Sequence, residues 1–86
     1  MKMNAEELKK IRADKTVDAR GTACPGPLME AKRVMASVPK EGILEVLSSD
    51  EGTTEDLPLW SKKAGHDFLG IIQEPGYWRV FIKKGK

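Results

Sequence analysis

The stretch DARGTACPGPLMEAKRVM, residues 18–35, decides how the chain is expected to fold. Its first half is rich in small residues, and its second half carries apolar residues at helical spacing from Leu28 to Met35. Pro25 suits the first position of a helix, where its missing N–H costs nothing. The stretch therefore predicts a loop followed by a helix that begins at Pro25 and ends before Pro39.

The flanking sequence predicts four strands and a second helix, and the first of these strands leads into the loop. The second helix is expected to begin between Thr53 and Asp56, with Pro58 in its first turn, and to end at Gly65. A turn at Pro75 and Gly76 joins the last two strands into a hairpin. The predicted strands are KTVDAR (15–20), ILEVL (43–47), DFLGIIQE (67–74) and YWRVFIKK (77–84).

This order predicts an α/β fold, a two-layer βαβαββ sandwich in which a four-stranded mixed sheet carries both helices on one face. Leu57, Trp60 and Ala64 are expected on the buried side of the second helix. The other sheet face is expected to stay partly open, with Tyr77 and Phe81 on it. Residues 1–14 are predicted to form an N-terminal extension that includes a short helix.

Size and composition limit the kinds of function. A chain of 86 residues is enough for one domain, and 15 basic against 13 acidic residues give little support for a nucleic-acid partner. No window approaches the roughly twenty apolar residues of a membrane-spanning helix. The first residues also lack the apolar run of a secretion signal. A cytoplasmic protein with no membrane partner is expected.

Cys24 is the only cysteine, and it directly precedes Pro25. As the N-cap of a helix that begins there, its sulfur would lie beside unpaired N–H donors and the positive end of the helix dipole. Both favour an anion and lower the pKa of a thiol. Free cysteine is often only a small buried hydrophobe, but a strand-to-helix loop is where functional groups concentrate. The position favours a reactive thiol.

The residue types that the sequence lacks limit the reactions open to the Cys24 thiol. A dithiol oxidoreductase needs a second cysteine within reach. A cysteine hydrolase needs a base, and the single histidine, His66, is expected to cap or pack instead. One Cys and one His are too few for a zinc site, so no metal and no cofactor are predicted. The remaining possibility is a lone thiol that other proteins load and unload.

Residues 18–27, DARGTACPGP, match the D-x-R-G-x-x-C-P-x-P signature of the TusA-like (SirA-like) sulfur-carrier family. The segment TTEDLPLWSKKAGHDFL resembles the second helix and third strand of that family, and the resemblance extends over residues 15–84. It implies the same βαβαββ sandwich and assigns residues 15–86 to a TusA-like sulfur-carrier domain.

The resemblance also implies a task for the lone cysteine. Cys24 would accept a sulfane sulfur, as a persulfide or thiosulfonate, from a donor protein of the cysteine desulfurase or rhodanese type. It would then pass the sulfur to an acceptor protein, of the DsrE type or similar. Such a carrier is sometimes classed as a sulfurtransferase, so whether it counts as an enzyme is left open.

The remaining site residues follow from the same motif. Asp18 and Arg20 would complete the loop, and Arg20 would help to stabilise an anionic persulfide, although a plain surface ion pair explains both residues equally well. Gly21 would provide a turn with positive φ. The residues that would shape the site are Asp18, Arg20, Gly21, Pro25 and Pro27, with Cys24 as the catalytic residue.

One alternative belongs to another class of protein. The predicted sandwich resembles the C-terminal domain of a translation initiation factor, and the chain ends in KKGK. These features suggest a regulatory or nucleic-acid-binding module, which would bind with strong salt dependence. The balanced charge argues against this alternative.

Overall fold

The computed structural model describes residues 5–22 and 26–85, in which helices and strands alternate until the two final strands. The strands form one sheet in the order β1-β2-β4-β3, with β1 parallel to β2 and the other pairs antiparallel. This mixed sheet with helices packed on it confirms the predicted fold class. The elements are α1 (Ala5–Lys9), β1 (Lys15–Asp18), α2 (Gly26–Met35), β2 (Ile43–Ser48), α3 (Thr53–Ala64), β3 (Asp67–Glu74) and β4 (Tyr77–Lys83).

The main core lies between the sheet and the pair α2 and α3. Successive side chains of a strand point to opposite faces, so alternate apolar residues of β2 and β4 meet the two helices. Burying each large apolar side chain contributes about 1.5–3 kcal/mol relative to leaving it exposed. The buried core residues from these four elements are Ala31, Met35, Leu44, Val46, Leu57, Val80 and Ile82.

The opposite side of the sheet, here called the outer face, carries a second and smaller core. Phe81 lies on this face, as predicted, but it is only 1% exposed, because Leu8 of α1 packs against Phe81 and Ile72. Leu8 itself is fully buried. The expectation of an open face is therefore wrong at Phe81, where α1 acts as the cover, while Tyr77 is half-buried.

Helix α3 differs from its prediction in two respects. It begins at Thr53, inside the expected interval, but this start puts Pro58 in the second turn rather than the first. The missing N–H of Pro58 then leaves the Thr54 carbonyl without its helical donor. The second difference is that Ser61 is buried beside Leu57, donating a hydrogen bond of 2.7 Å to its carbonyl.

Helices α2 and α3 end at the loops that lead into β2 and β3. Gly65 ends α3 with φ 83°, the left-handed conformation that the stop signal predicted. Helix α2 already ends at Met35, earlier than the predicted end before Pro39. Val38 is nevertheless buried in the main core.

Candidate functional site

The loop after β1 is a tight turn attached to the neighbouring strand. The Thr22 N–H donates to the Ala19 carbonyl at 3.2 Å, and Gly21 has φ 80°. A positive φ at the third turn position is typical of a type II turn and favours glycine. The Gly21 N–H donates to Ser49 Oγ at 2.8 Å. The turn is therefore held against the end of β2.

Asp18 and Arg20 form a two-point ion pair on the outer face. Arg20 Nε donates to Asp18 Oδ1 and Arg20 Nη2 to Asp18 Oδ2, each at 2.9 Å. These hydrogen bonds lower the pKa of Asp18 to about 2. The guanidinium also lies 4.9 Å from the ring centroid of Tyr77. The structure thus brings two predicted site residues together and holds Arg20 against a third side chain.

The start of α2 packs closely against the same turn. A Cβ placed on Gly26 would overlap the Thr22 methyl group, so only glycine allows this approach without a shift. Pro27 follows it with a fully buried side chain and anchors the first turn of α2 in the protein interior. The contact between Gly26 and Thr22 was not predicted from the sequence, because no local pattern indicates which residue a side chain at position 26 would meet.

A second loop, at the end of β2, lies next to the first. Asp50 N–H donates to Ser48 Oγ at 3.1 Å, and Ser48 Oγ donates to Thr53 Oγ1 at 2.9 Å. Ser48 and Thr53 are both buried, so this loop is fixed from inside. Together the two loops line a shallow pocket formed by Gly21, Thr22, Ser49 and Asp50. None of the pocket's second-loop residues was predicted from the sequence.

Cys24 and Pro25 lie outside the described residues, and their place in the chain is given by Thr22 and Gly26 on either side. The predicted helix cap at Cys24 therefore stays a prediction. The charge pattern of α2 bears on it, because Gly26–Met35 has no acidic residue in its first turn. In contrast, α1 has Glu6 and Glu7 there, and α3 has Glu55 and Asp56. The positive end of α2 lacks the first-turn acids that complement the other two helices.

His66 belongs to the opposite end of the helix layer. Its Nδ1 accepts a hydrogen bond from the Gly85 N–H at 3.0 Å, and its ring lies 5.4 Å from that of Trp60. It shares a cavity with Met35, the last residue of α2. A helix of 10 residues is about 15 Å long, so His66 lies far from the start of α2. This position supports a packing role for His66.

Across residues 5–22 and 26–85, no cluster of at least three His, Cys, Asp or Glu side chains has an arrangement that could hold a metal ion. In the same part of the chain, no helix has the length and apolar character needed to cross a membrane.

These features define a class of small α/β domain, with an open mixed sheet, two helices on one face and one thiol just ahead of the first of those helices. The chain matches the family model described as "Sulfurtransferase TusA" over residues 15–84, and it belongs to that family. The resemblance inferred from residues 18–27 is thereby confirmed at the level of the family.

Individual relatives agree with this assignment. The chain is 50% identical over 70 residues to a putative sulfur carrier protein of Archaeoglobus fulgidus, covering 81% of this chain and 96% of that protein. It is 34% identical over 71 residues to the sulfur carrier protein TusA of Pseudomonas entomophila, covering 83% and 89%. The crystal structure of the SirA-like protein from Desulfitobacterium hafniense superimposes with a TM-score of 0.73 at 26% identity, covering 84% of this chain and 99% of that one.

Proposed function

We propose that this protein is a sulfur carrier that holds a sulfane sulfur on Cys24 as a persulfide, or as a thiosulfonate. Family membership and the presence of a single cysteine support this proposal. The observation that carries it is the start of α2, where a ten-residue helix lacks acidic residues in its first turn. An anion on the residue just ahead of the helix would complement the positive end of the dipole.

The transfer needs no change of oxidation state beyond the exchange of one S–S bond. The Cys24 thiolate attacks the terminal sulfur of a donor persulfide, R–S–SH. A new bond forms between Cys24 Sγ and that sulfur, and the S–S bond of the donor breaks. The products are Cys24–S–SH and the donor thiolate R–S⁻, and the acceptor protein reverses the step with its own thiolate.

The bound sulfur would be stabilised as an anion. A persulfide is more acidic than a thiol, and the first N–H groups of α2 have no helical acceptor, so they are available to a negative sulfur. Arg20 contributes less, because Asp18 already balances its charge at 2.9 Å. We therefore assign Asp18, Arg20 and Gly21 to the shape of the loop, and Pro25 and Pro27 to the start of the helix.

Protein partners follow from the lone thiol. With no second cysteine in the chain, Cys24 cannot resolve its own persulfide, so the resolving thiol comes from outside this chain, and we assign it to a partner protein. The donor would be of the cysteine desulfurase or rhodanese type, and the acceptor of the DsrE type or similar. Both exchange sulfur with a cysteine thiolate.

Intact mass spectrometry tests the proposal. Purified protein is treated with polysulfide or tetrathionate and weighed before and after reductant, beside Cys24→Ser. We expect a sulfur adduct with polysulfide and a thiosulfonate adduct with tetrathionate, on the wild type only, both removed by reductant. Tetrathionate would leave S–SO₃⁻ on Cys24 and release thiosulfate. An adduct on Cys24→Ser, or none on the wild type with either donor, contradicts the proposal.

A further inference from the structure

The outer face of the sheet offers little to a partner protein. Leu8 covers Phe81, and the central charge of the face, Arg79, is paired with Glu45 at 2.6 Å and with Glu74 at 3.3 Å. A partner that used this face would have to displace α1 and compete with these ion pairs.

The helix side of the molecule has the opposite character. Among the described residues, the exposed large hydrophobic side chains are Met29 on α2, 64% exposed, and Leu59 on α3, 58% exposed. The two helices are neighbours in the helix layer. An exposed apolar side chain beside an apolar groove with a polar rim is typical of an interaction surface.

A groove separates these two helices on their solvent side. It is lined by Leu28 and Lys32 of α2, and by Asp56, Leu59, Trp60 and Lys63 of α3. We call this the helix groove. Lys32 and Trp60 also line the neighbouring cavity that extends to Met35, so the concave surface follows α2 to its last residue.

The charge along the helix groove is predominantly positive. Lys32 and Lys63 are exposed, and within residues 5–22 and 26–85 neither makes a hydrogen bond or an ion pair through its side chain. One acid, Asp56, stands against the two lysines on the lining. A nearby arginine differs, because Arg33 is held by Glu30 at 2.6 Å. The groove thus presents two lysines without an ion pair against one acid, a net positive charge, beside apolar side chains.

From this arrangement we infer that the sulfur-exchanging partner docks in the helix groove through an acidic segment that carries apolar side chains. The inference rests on the proposed function of Cys24. Leu28 and Met29 belong to the first turns of α2, so the groove begins close in the chain to Cys24. A segment bound there would bring a partner thiol to the start of the helix, with its acids facing Lys32 and Lys63.

The test compares loading by a protein with loading by a small molecule. The variants are Lys32→Glu with Lys63→Glu, and Leu59→Glu. A matched control, Lys10→Glu with Lys15→Glu, makes the same change of charge at exposed positions away from the groove. Protein loading uses a cysteine desulfurase supplied with cysteine and a rhodanese supplied with thiosulfate. Small-molecule loading is the extent of adduct formation at saturating polysulfide.

We expect the groove variants to raise the KM for the carrier about tenfold or more with a protein donor, while the control and the extent of polysulfide loading stay at the wild-type level. Equal kinetics for wild type and groove variants, or an equal loss in the control, overturns the inference. Wild-type protein that polysulfide loads but neither protein donor loads also overturns it and leaves the proposed function standing. Failure of polysulfide to load the wild type instead removes the proposed function.

Discussion

At the scale of single residues, the loop before Cys24 is built from contacts that motif matching does not show. The D-x-R part of the motif is an ion pair with two hydrogen bonds that rests on Tyr77. Gly26, which a motif treats as a variable position, is the residue that lets Thr22 approach the helix. Both observations lead to predictions about individual side chains.

The Asp18 carboxyl should titrate at unusually low pH. Its folded-state pKa, about 2, is below the value of about 3.9 for an unfolded chain. The pair therefore stabilises the folded state above about pH 4, and this contribution is lost as pH falls toward 2. NMR titration of the Asp18 side chain should show this midpoint in the wild type and a return toward about 3.9 in Arg20→Gln.

A matched control is available in the second exposed arginine pair. Arg33→Gln removes the partner of Glu30, which is bound at 2.6 Å, and it should leave the Asp18 midpoint unchanged. An Asp18 midpoint that does not move in Arg20→Gln would show that the loop backbone, and not the guanidinium, controls this carboxyl.

Gly26→Ala should destabilise the protein by about 0.5–1 kcal/mol, because its Cβ would overlap the Thr22 methyl group and force this exposed side chain out of its rotamer. Alanine is otherwise the better helix former, so the sign of the effect identifies the clash. Urea unfolding measures the change. Thr22→Ser removes the methyl group, and in that background Gly26→Ala should be neutral or stabilising. An equal loss in both backgrounds would rule out the Thr22 contact as the cause.

At the scale of elements, α1 depends on the sheet beneath it. A helix of five residues is too short to be stable alone, so it persists through the packing of Leu8 on Ile72 and Phe81. Its contribution is to close an apolar patch that the alternation of β4 places on the outer face. This makes Leu8 the residue on which α1 depends.

Leu8→Ala should cost about 2–5 kcal/mol in the free energy of unfolding, since the side chain is fully buried. Hydrogen exchange should also speed up in α1 and along β3. The control is Leu59→Ala, which removes an equal side chain from a position that is 58% exposed and should change stability by less than about 0.5 kcal/mol. If the two variants lose the same stability, Leu8 is not the anchor of α1.

At the scale of the whole molecule, the parallel pairing of β1 and β2 determines where the loops and the helix starts lie. Chains leave β1 and β2 at the same edge of the sheet, and this brings the turn at Gly21 beside the loop at Ser49. Both core helices start from this edge and end at the other, where His66 lies. One face of the sheet is closed by α1, and the helix side keeps an exposed groove. The start of α2, where sulfur exchange is proposed, therefore adjoins the helix groove, where the partner is proposed to dock.

Local patterns were enough to determine much of this protein. Strand alternation, helical spacing and the stop at Gly65 are each set within a few neighbouring residues, so the order of elements and the fold class followed from the sequence. The motif at residues 18–27 likewise identified the family. Such signals are readable because their physical cause is local.

Only the tertiary structure decided how distant segments meet. Leu8 covers Phe81, Arg20 rests on Tyr77, and Leu28 faces Leu59 across the helix groove. The residues of each pair are far apart in sequence, and the pairing depends on the register and crossing of whole elements. No short window of sequence contains that information, because side-chain packing between elements forms only when the entire sheet and its helices are assembled.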